Sequence, residues 1–177
     1  MQALKGNLVF LRALEPEDLE FLYYLENDSS IWEISGTQKP YSKAILKKYL
    51  ANTHLDIYEI KQLRLSICTN SNQMIGLIDL FDFDPKHRRA GVGLVIADEE
   101  NRGKGYGLEA LALLSEYCFK HLDLHQLYAN ILEENTRSIS LFKKAGFKMV
   151  GVKNEWILSE GVFKNEILYQ KINSEQS

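Results

Sequence analysis

The stretch that most constrains how this chain can fold is residues 90–107, AGVGLVIADEENRGKGYG. An apolar run ends in a short acidic turn. A glycine-alternating segment follows, Arg102-Gly103-Lys104-Gly105-Tyr106-Gly107, and a helical pattern opens at once with Leu108, Glu109 and Ala110. A helix start leaves its first N–H groups without intrahelical partners and carries the positive end of the dipole, so anionic oxygens are stabilised there. Glycines without Cβ atoms let the main chain approach a pyrophosphate and adopt positive φ. Arg102 and Lys104 add charge. The plain alternative is a tight strand-to-helix turn that binds nothing.

Spacing excludes two nucleotide readings. A Walker A loop needs Ser or Thr after its Gly-Lys pair, whereas Lys104 is followed by Gly105. A dinucleotide fingerprint needs Gly-x-Gly-x-x-Gly near the start of a βαβ unit and an acidic residue at the end of a second strand. Here the glycines alternate deep in the chain, and Asp123 sits in the turn that ends the helix.

The spacing that does match is Arg-x-x-Gly-x-Gly after an apolar strand, formed by Arg102, Gly105 and Gly107. It resembles the acyl-CoA pyrophosphate loop of the GNAT family of N-acetyltransferases. Downstream, residues 135–147 (NTRSISLFKKAGF) resemble the family's second CoA-contacting helix and its Gly-Phe ending. Upstream, Leu8 to Leu14 followed by EPEDL resembles the opening strand and first helix of the ribosomal-protein and spermidine acetyltransferase branch, as does HRRA at 87–90. The resemblance covers nearly the whole chain and implies one α/β (α+β) domain over 1–177, with a mixed, mostly antiparallel sheet of about seven strands flanked by about four helices.

The residue pattern is compatible with that fold. Leu8 to Leu14 alternates as a strand, and Pro16 opens a helix to about Glu26. Residues 27–41 are polar, carry Gly36 and Pro40, and read as loop. Ser42 caps a helix whose apolar positions Ile45, Leu46, Tyr49 and Leu50 recur at helical spacing. Strands near 62–69, 74–82 and 89–97 are joined by turn residues and form an antiparallel meander. Leu108, Leu111, Ser115, Cys118 and Leu122 make one helical face ending near His121. A strand at 126–132, a helix at 135–144 stopped by Gly146, and a hairpin of 147–156 with 163–170 turned at 159–161 complete the chain.

Composition narrows the partners. The 177 residues carry a net charge of −3, which argues against a general nucleic-acid or anionic-membrane binder and suits a cationic substrate. No apolar run approaches a membrane span, and the head of the chain lacks a signal-peptide core, so a cytoplasmic protein is expected. Cys68 and Cys118 read as buried free thiols. His121 and His125 do not share a helix face, so no metal site is expected. His87, Arg88 and Arg89 either reach CoA phosphates or solvate a strand entry. Trp32 and Trp156 either line a pocket or are simply buried. The sequence leaves monomer and homo-oligomer equally open.

Amine acetylation needs a held acetyl-CoA, a polarised thioester carbonyl, a neutral amine and a tolerable thiolate. The resemblance assigns CoA contacts to residues 102–107, Asn135 and Phe142. It assigns carbonyl polarisation to the main chain of Leu94, Val95 and Ile96, where Gly91 and Gly93 favour a bulge. Glu155 or Asp79 stands where the branch keeps a carboxylate, as base or amine ligand, and Glu33 is a candidate for the substrate wall; each also reads as a solvated side chain. Many relatives place a tyrosine acid in a Tyr-x-x-x-Gly-Phe pattern; here that position is Phe142, which cannot donate. Ser138, one turn earlier, is the nearest hydroxyl, with a helix-surface serine bonded to the main chain as its plain reading. Acetyl transfer by direct attack of a polyamine, protein N-terminus or other small amine is expected. The alternative is a non-catalytic acyl-CoA-binding module, which Phe142 permits.

Overall fold

The computed structural model describes residues 4–174. Seven strands form one sheet: β1 (Val9–Ala13), β2 (Leu63–Thr69), β3 (Met74–Asp84), β4 (Arg89–Ile96), β5 (Gln126–Leu132), β6 (Lys148–Ser159) and β7 (Val162–Ile172), in the order β1-β2-β3-β4-β5-β7-β6. Every neighbouring pair is antiparallel except β4 with β5. The helices are α1 (Leu19–Glu26), α2 (Trp32–Ser35), α3 (Lys43–Ala51), α4 (Ile57–Ile60), α5 (Tyr106–Lys120) and α6 (Thr136–Lys144).

Most elements begin and end where residue chemistry dictates. Pro16 opens a 3-10 turn that leads into α1, Ser42 caps α3 by accepting from the Ile45 N–H, and Asn135 caps α6 by accepting from the Ser138 N–H. Glu160 and Gly161 both hold positive φ, 50° and 79°, and close the β6–β7 hairpin with Ser159 paired to Val162. Both strands run further than alternation suggested, because the tight loop lets pairing continue to its edge. The segment 27–41 is not plain loop: α2 forms inside it and is closed by Gly36 at φ 71°. One helical turn leaves too little periodicity to see in sequence.

The two sheet faces carry different helices. Leu22 and Leu25 of α1 and Leu46 and Leu50 of α3 bury against Leu77 and Ala97. On the other side Ala110, Leu111, Leu114 and Cys118 of α5 pack with Ile78, Leu80 and Val92. Both cysteines are buried free thiols, and burial pushes the Cys118 thiol up to about 12. Glu109, in the first turn of α5, accepts the N–H groups of Asn7, Leu8 and Val9 at 2.9, 2.7 and 2.7 Å. That carboxylate fastens the start of β1 to the helix behind the glycine turn.

Candidate active site

The sheet opens at its one parallel pair. β4 and β5 are in register from Arg89 with Gln126 to Gly91 with Tyr128, and there their pairing stops. On its other side β4 stays regularly paired to β3 from Gly91 to Ile96. Between Val92 and Ile96, alternate main-chain groups of β4 therefore face a gap instead of a partner strand.

This corrects the expectation of a bulge in β4. The irregularity lies in β3, where Asp82, at φ 47°, and Phe83 oppose a single residue of β4 between the Phe81–Gly91 and Asp84–Arg89 pairs. The two glycines of β4 serve different ends. A Cβ on Gly91 would sit 2.2 Å from the Phe81 ring, whose other neighbour is Tyr128 with ring centroids 5.9 Å apart. Gly91 thus accommodates an aromatic ring and keeps the ladder regular. A Cβ on Gly93 would meet nothing within 4 Å. It faces the opening.

The opening continues as a cleft of about 390 Å³. Val92, Gly93, Leu94 and Val95 form one wall, residues 129–132 of β5 the other, and Asn135, Ser138 and Phe142 of α6 one end. Glu33, Arg64, Asp79, Ile157 and Glu166 also line it. Ile96 is buried beyond the cleft.

The glycine turn has the features a pyrophosphate requires. Gly103 and Gly105 hold φ of 73° and 86°, so both need glycine, and a Cβ on Gly103 would meet nothing within 4 Å. Gly105 is the N-cap of α5 and supplies no side-chain cap, leaving the first N–H groups of the helix to whatever anion lies before them. Lys104 and Gly105 are exposed, Tyr106 and Gly107 half-buried. A Cβ on Gly107 would sit 3.3 Å from Leu94 and 3.5 Å from Leu141, so glycine there lets the start of α5 pack closely on both. Asn101, in the turn just before, is buried with its Nδ2 unpartnered among the described residues. Such an orphan donor beside a helix start suits a polar ligand atom. Arg102 folds back instead, donating to the Ile96 carbonyl through Nε at 3.2 Å and Nη2 at 3.0 Å, and so ties the turn to the end of β4.

The remaining candidates fall in different places. Asp79 is paired across the ladder with Gly93 and lines the cleft. Its carboxylate receives Arg64 Nε at 2.6 Å, while Arg64 Nη1 reaches Glu26 at 2.8 Å. Glu33 also lines the cleft and accepts from Lys164 at 2.6 Å; that bond, with a contact to Ser159, holds its carboxyl below the usual range. Lys164 bonds Glu134 at 2.6 Å as well, and the two carboxylates hold its ammonium above the ordinary lysine value. Glu155 is exposed at φ 50° in a bulge of β6, its N–H donated to Asn165 at 2.9 Å, and it is not among the cleft-lining residues. Phe142 is buried edge-on to Phe147 at 5.0 Å, with its ring at the cleft end. Ser138 is half-buried there, and among the described residues its hydroxyl has no hydrogen bond, unlike a serine bonded back to its own helix.

The basic residues 87–89 at the start of β4 and the two tryptophans are not among the cleft-lining residues. Arg88 holds Asp123 at 2.7 Å, Arg89 lies 3.5 Å from Asp84, and the His87 N–H bonds Asp84 at 2.9 Å. The Trp32 indole donates to the Glu26 carbonyl at 2.9 Å. Trp156, at 60 % exposure, is neither buried nor in the cleft; Lys153 lies over its ring. Sequence reasoning missed Glu166, which lines the cleft and pairs with Lys153 at 2.5 Å. Its alternation with buried Ile167 and Tyr169 marks a solvent face, and only the divergence of β5 from β4 makes that face a cleft wall.

A splayed strand edge with an uncapped helix start behind it can grip a phosphate-bearing thioester along its length, and carboxylates in the cleft lining can receive a cation. That is the architecture of an acyl-CoA-dependent transferase. Comparison with known proteins makes the assignment specific. Residues 9–148 match the acetyltransferase (GNAT) domain. The chain is 30 % identical to spermidine N(1)-acetyltransferase of Escherichia coli (strain K12), over 90 % of this chain and 83 % of that protein. It is 31 % identical to the Vibrio cholerae enzyme over 77 % of each. The crystal structure of spermidine N-acetyltransferase from Vibrio cholerae in complex with CoA and spermine superposes with a TM-score of 0.82 at 28 % identity, covering 94 % of this chain and 96 % of that one.

The chain belongs to the GNAT acetyltransferase family. It is an N-acetyltransferase that moves an acetyl group from acetyl-CoA to a primary amine, and its relatives give no support to the non-catalytic reading. Among the described residues, no helix is long and apolar enough to cross a membrane.

Proposed function

We propose that the acceptor is an aliphatic primary amine of the polyamine type, and that Asp79 and the main chain of β4 carry the chemistry. The observation behind this reading is the pairing of Asp79 with Gly93, which sets a carboxylate beside the one point of β4 left open by both a missing Cβ and a missing partner strand. Spermidine is the acceptor named for the relatives, and Glu33 and Glu166 add carboxylates to the same cleft.

Acetyl-CoA supplies the activated acyl group; the rest is the work of this chain. The helix start at residues 105–107 and Asn101 hold the phosphate-bearing portion. Main-chain N–H groups along residues 92–96, aimed into the gap, polarise the carbonyl under attack. An alkyl ammonium with pKa near 10.4 is neutral in only about one molecule in 2500 at pH 7, so a base must take its proton. Asp79 does so, through a water. With Phe142 in place of a tyrosine, the departing sulfur takes its proton from solvent, directly or relayed through the Ser138 hydroxyl, which regains one in the same step; a thiol of pKa about 8.5 leaves adequately without a strong acid. None of these steps calls on a metal.

Free CoA release, measured across a panel of amines, tests the reading. Terminal aliphatic amines are expected to turn over, and Asp79→Asn to lower kcat/KM by roughly 10²–10⁴. Tight acetyl-CoA binding with no release for any amine refutes it.

A further inference from the structure

Arg64 stands between two cavities. Together with Asp79, Phe81 and Ser35 it lines both the cleft and a second cavity of about 320 Å³ on the α3 and α4 side, whose further lining includes Tyr49, Leu55 and Ile60. Each nitrogen of its guanidinium donates to a carboxylate, Nε and Nη2 to Asp79 at 2.6 and 3.4 Å and Nη1 to Glu26 at 2.8 Å, and Cζ lies 5.7 Å from the centre of the Tyr49 ring. Two carboxylates and an aromatic face are the groups that bind an alkyl ammonium. Here the chain's own cation occupies them.

We propose that Arg64 is a specificity-determining residue: it fills what is otherwise an inner ammonium subsite, and so limits the acceptor to presenting one charged end beside Gly93. This rests on the acceptor being an alkyl amine. Several observations support it. The Glu26–Asp79–Arg64 group carries a net charge of −1 as it stands, and without Arg64 it carries −2, the charge that a second substrate ammonium would offset. Arg64 is partly shielded rather than solvated, with 31 % of its side chain exposed against 14 % for Glu26, so its pairs are less screened than surface ones. Burial alone would lower the Arg64 pKa, yet the carboxylate of Asp79, by charge and by hydrogen bond, drives it well above the ordinary value. The second cavity lies directly behind the guanidinium and offers room for the chain of a longer amine once the fork is removed.

The test compares kcat/KM for a linear triamine with that for a monoamine of matched length, in the wild type, Arg64→Gln, Arg64→Lys and Lys164→Gln. The ratio cancels any change common to both acceptors, including one transmitted through Asp79. Arg64→Gln is expected to raise the triamine-to-monoamine ratio about ten-fold, in KM more than in kcat, because a charge-assisted contact is gained by the longer amine alone. Arg64→Lys, which keeps the charge, is expected to stay near the wild-type ratio. Lys164→Gln removes an equal charge, from the ion pairs with Glu33 and Glu134, and is expected to change the ratio much less. An unchanged ratio in Arg64→Gln, or an equal rise in Lys164→Gln, overturns the assignment. Titration of the triamine into the CoA-loaded proteins reads the same difference as a change in Kd, without turnover. If neither amine is acetylated by the wild type, the acceptor class is wrong; if both are acetylated and the ratio does not move, only the role of Arg64 is wrong.

Discussion

Gly91 and Gly93 lie two residues apart on one strand and on one face, yet alanine at the two positions is expected to have opposite effects. At Gly93 a Cβ meets nothing within 4 Å, so Gly93→Ala costs no packing and removes the entropic penalty of a strand glycine. That is worth about 0.5–1 kcal/mol, a rise of roughly 1–4 °C in Tm for a domain of this size. The added methyl projects into the cleft, where we place the acyl group. A displacement of about 1 Å there costs on the order of 10²-fold, so kcat/KM for acetyl-CoA should fall by roughly 10- to 100-fold. At Gly91 the same methyl would lie 2.2 Å from Cε2 and 2.3 Å from Cζ of Phe81. The ring is backed by Tyr128 and must move by more than about 1 Å, an overpacking cost of about 1–3 kcal/mol and a fall of roughly 2–12 °C. Thermal denaturation and steady-state kinetics on both variants decide the matter. A destabilised Gly93→Ala with unchanged kcat/KM, or an unperturbed Gly91→Ala, refutes the assignment of the opening to β4.

Three further outcomes are expected. Phe142→Tyr should raise kcat for a poor amine by up to about ten-fold if its hydroxyl reaches the departing sulfur, and an unchanged kcat with unchanged Tm means thiolate protonation is not limiting. Glu109→Gln trades a carboxylate that receives three N–H groups for an amide, and should cost about 1.5–3 kcal/mol in urea denaturation; a variant as stable as the wild type contradicts the fastening role of that side chain. The Asp18 carboxyl is subject to burial, which raises its pKa, but the Arg12 hydrogen bond, the Glu15 N–H and the Arg12 charge together hold it below the ordinary aspartate value. A depressed folded pKa means stability that is present above the unfolded value near 4 and lost as pH falls through the folded one. Urea denaturation from about pH 7 down to about pH 2.5 should therefore show Asp18→Asn losing less stability than the wild type below about pH 4, and parallel curves would remove Asp18 from the acid response.

The glycine turn was legible in sequence because its physics is local. Positive φ at Gly103 and Gly105, an uncapped helix start and an apolar strand before it are properties of neighbouring residues, and a single chain prints them in order. The caps at Ser42 and Asn135 and the hairpin loop at Glu160 and Gly161 are of the same kind. Phe142, in place of a hydroxyl-bearing residue, could be seen for the same reason.

The carboxylate lining of the cleft was not legible, because no local rule creates it. Asp79 could be named from the sequence, but its pairing with Gly93 is set by the register of β3 on β4, and its capture by Arg64 joins residues from different strands. Glu166 alternates like any solvent-facing strand residue, and becomes a cleft wall only because the pairing of β4 with β5 ends at Gly91. Glu155 has the right residue type in the expected strand, and the bulge of β6 holds it outside the cleft lining. The sequence by itself determined what the chain can hold, since anion binding depends on main-chain conformation that a few consecutive residues dictate. The tertiary structure decided which carboxylates line the cleft and which cations already answer them, since those are distances between strands, and only the closed sheet fixes them.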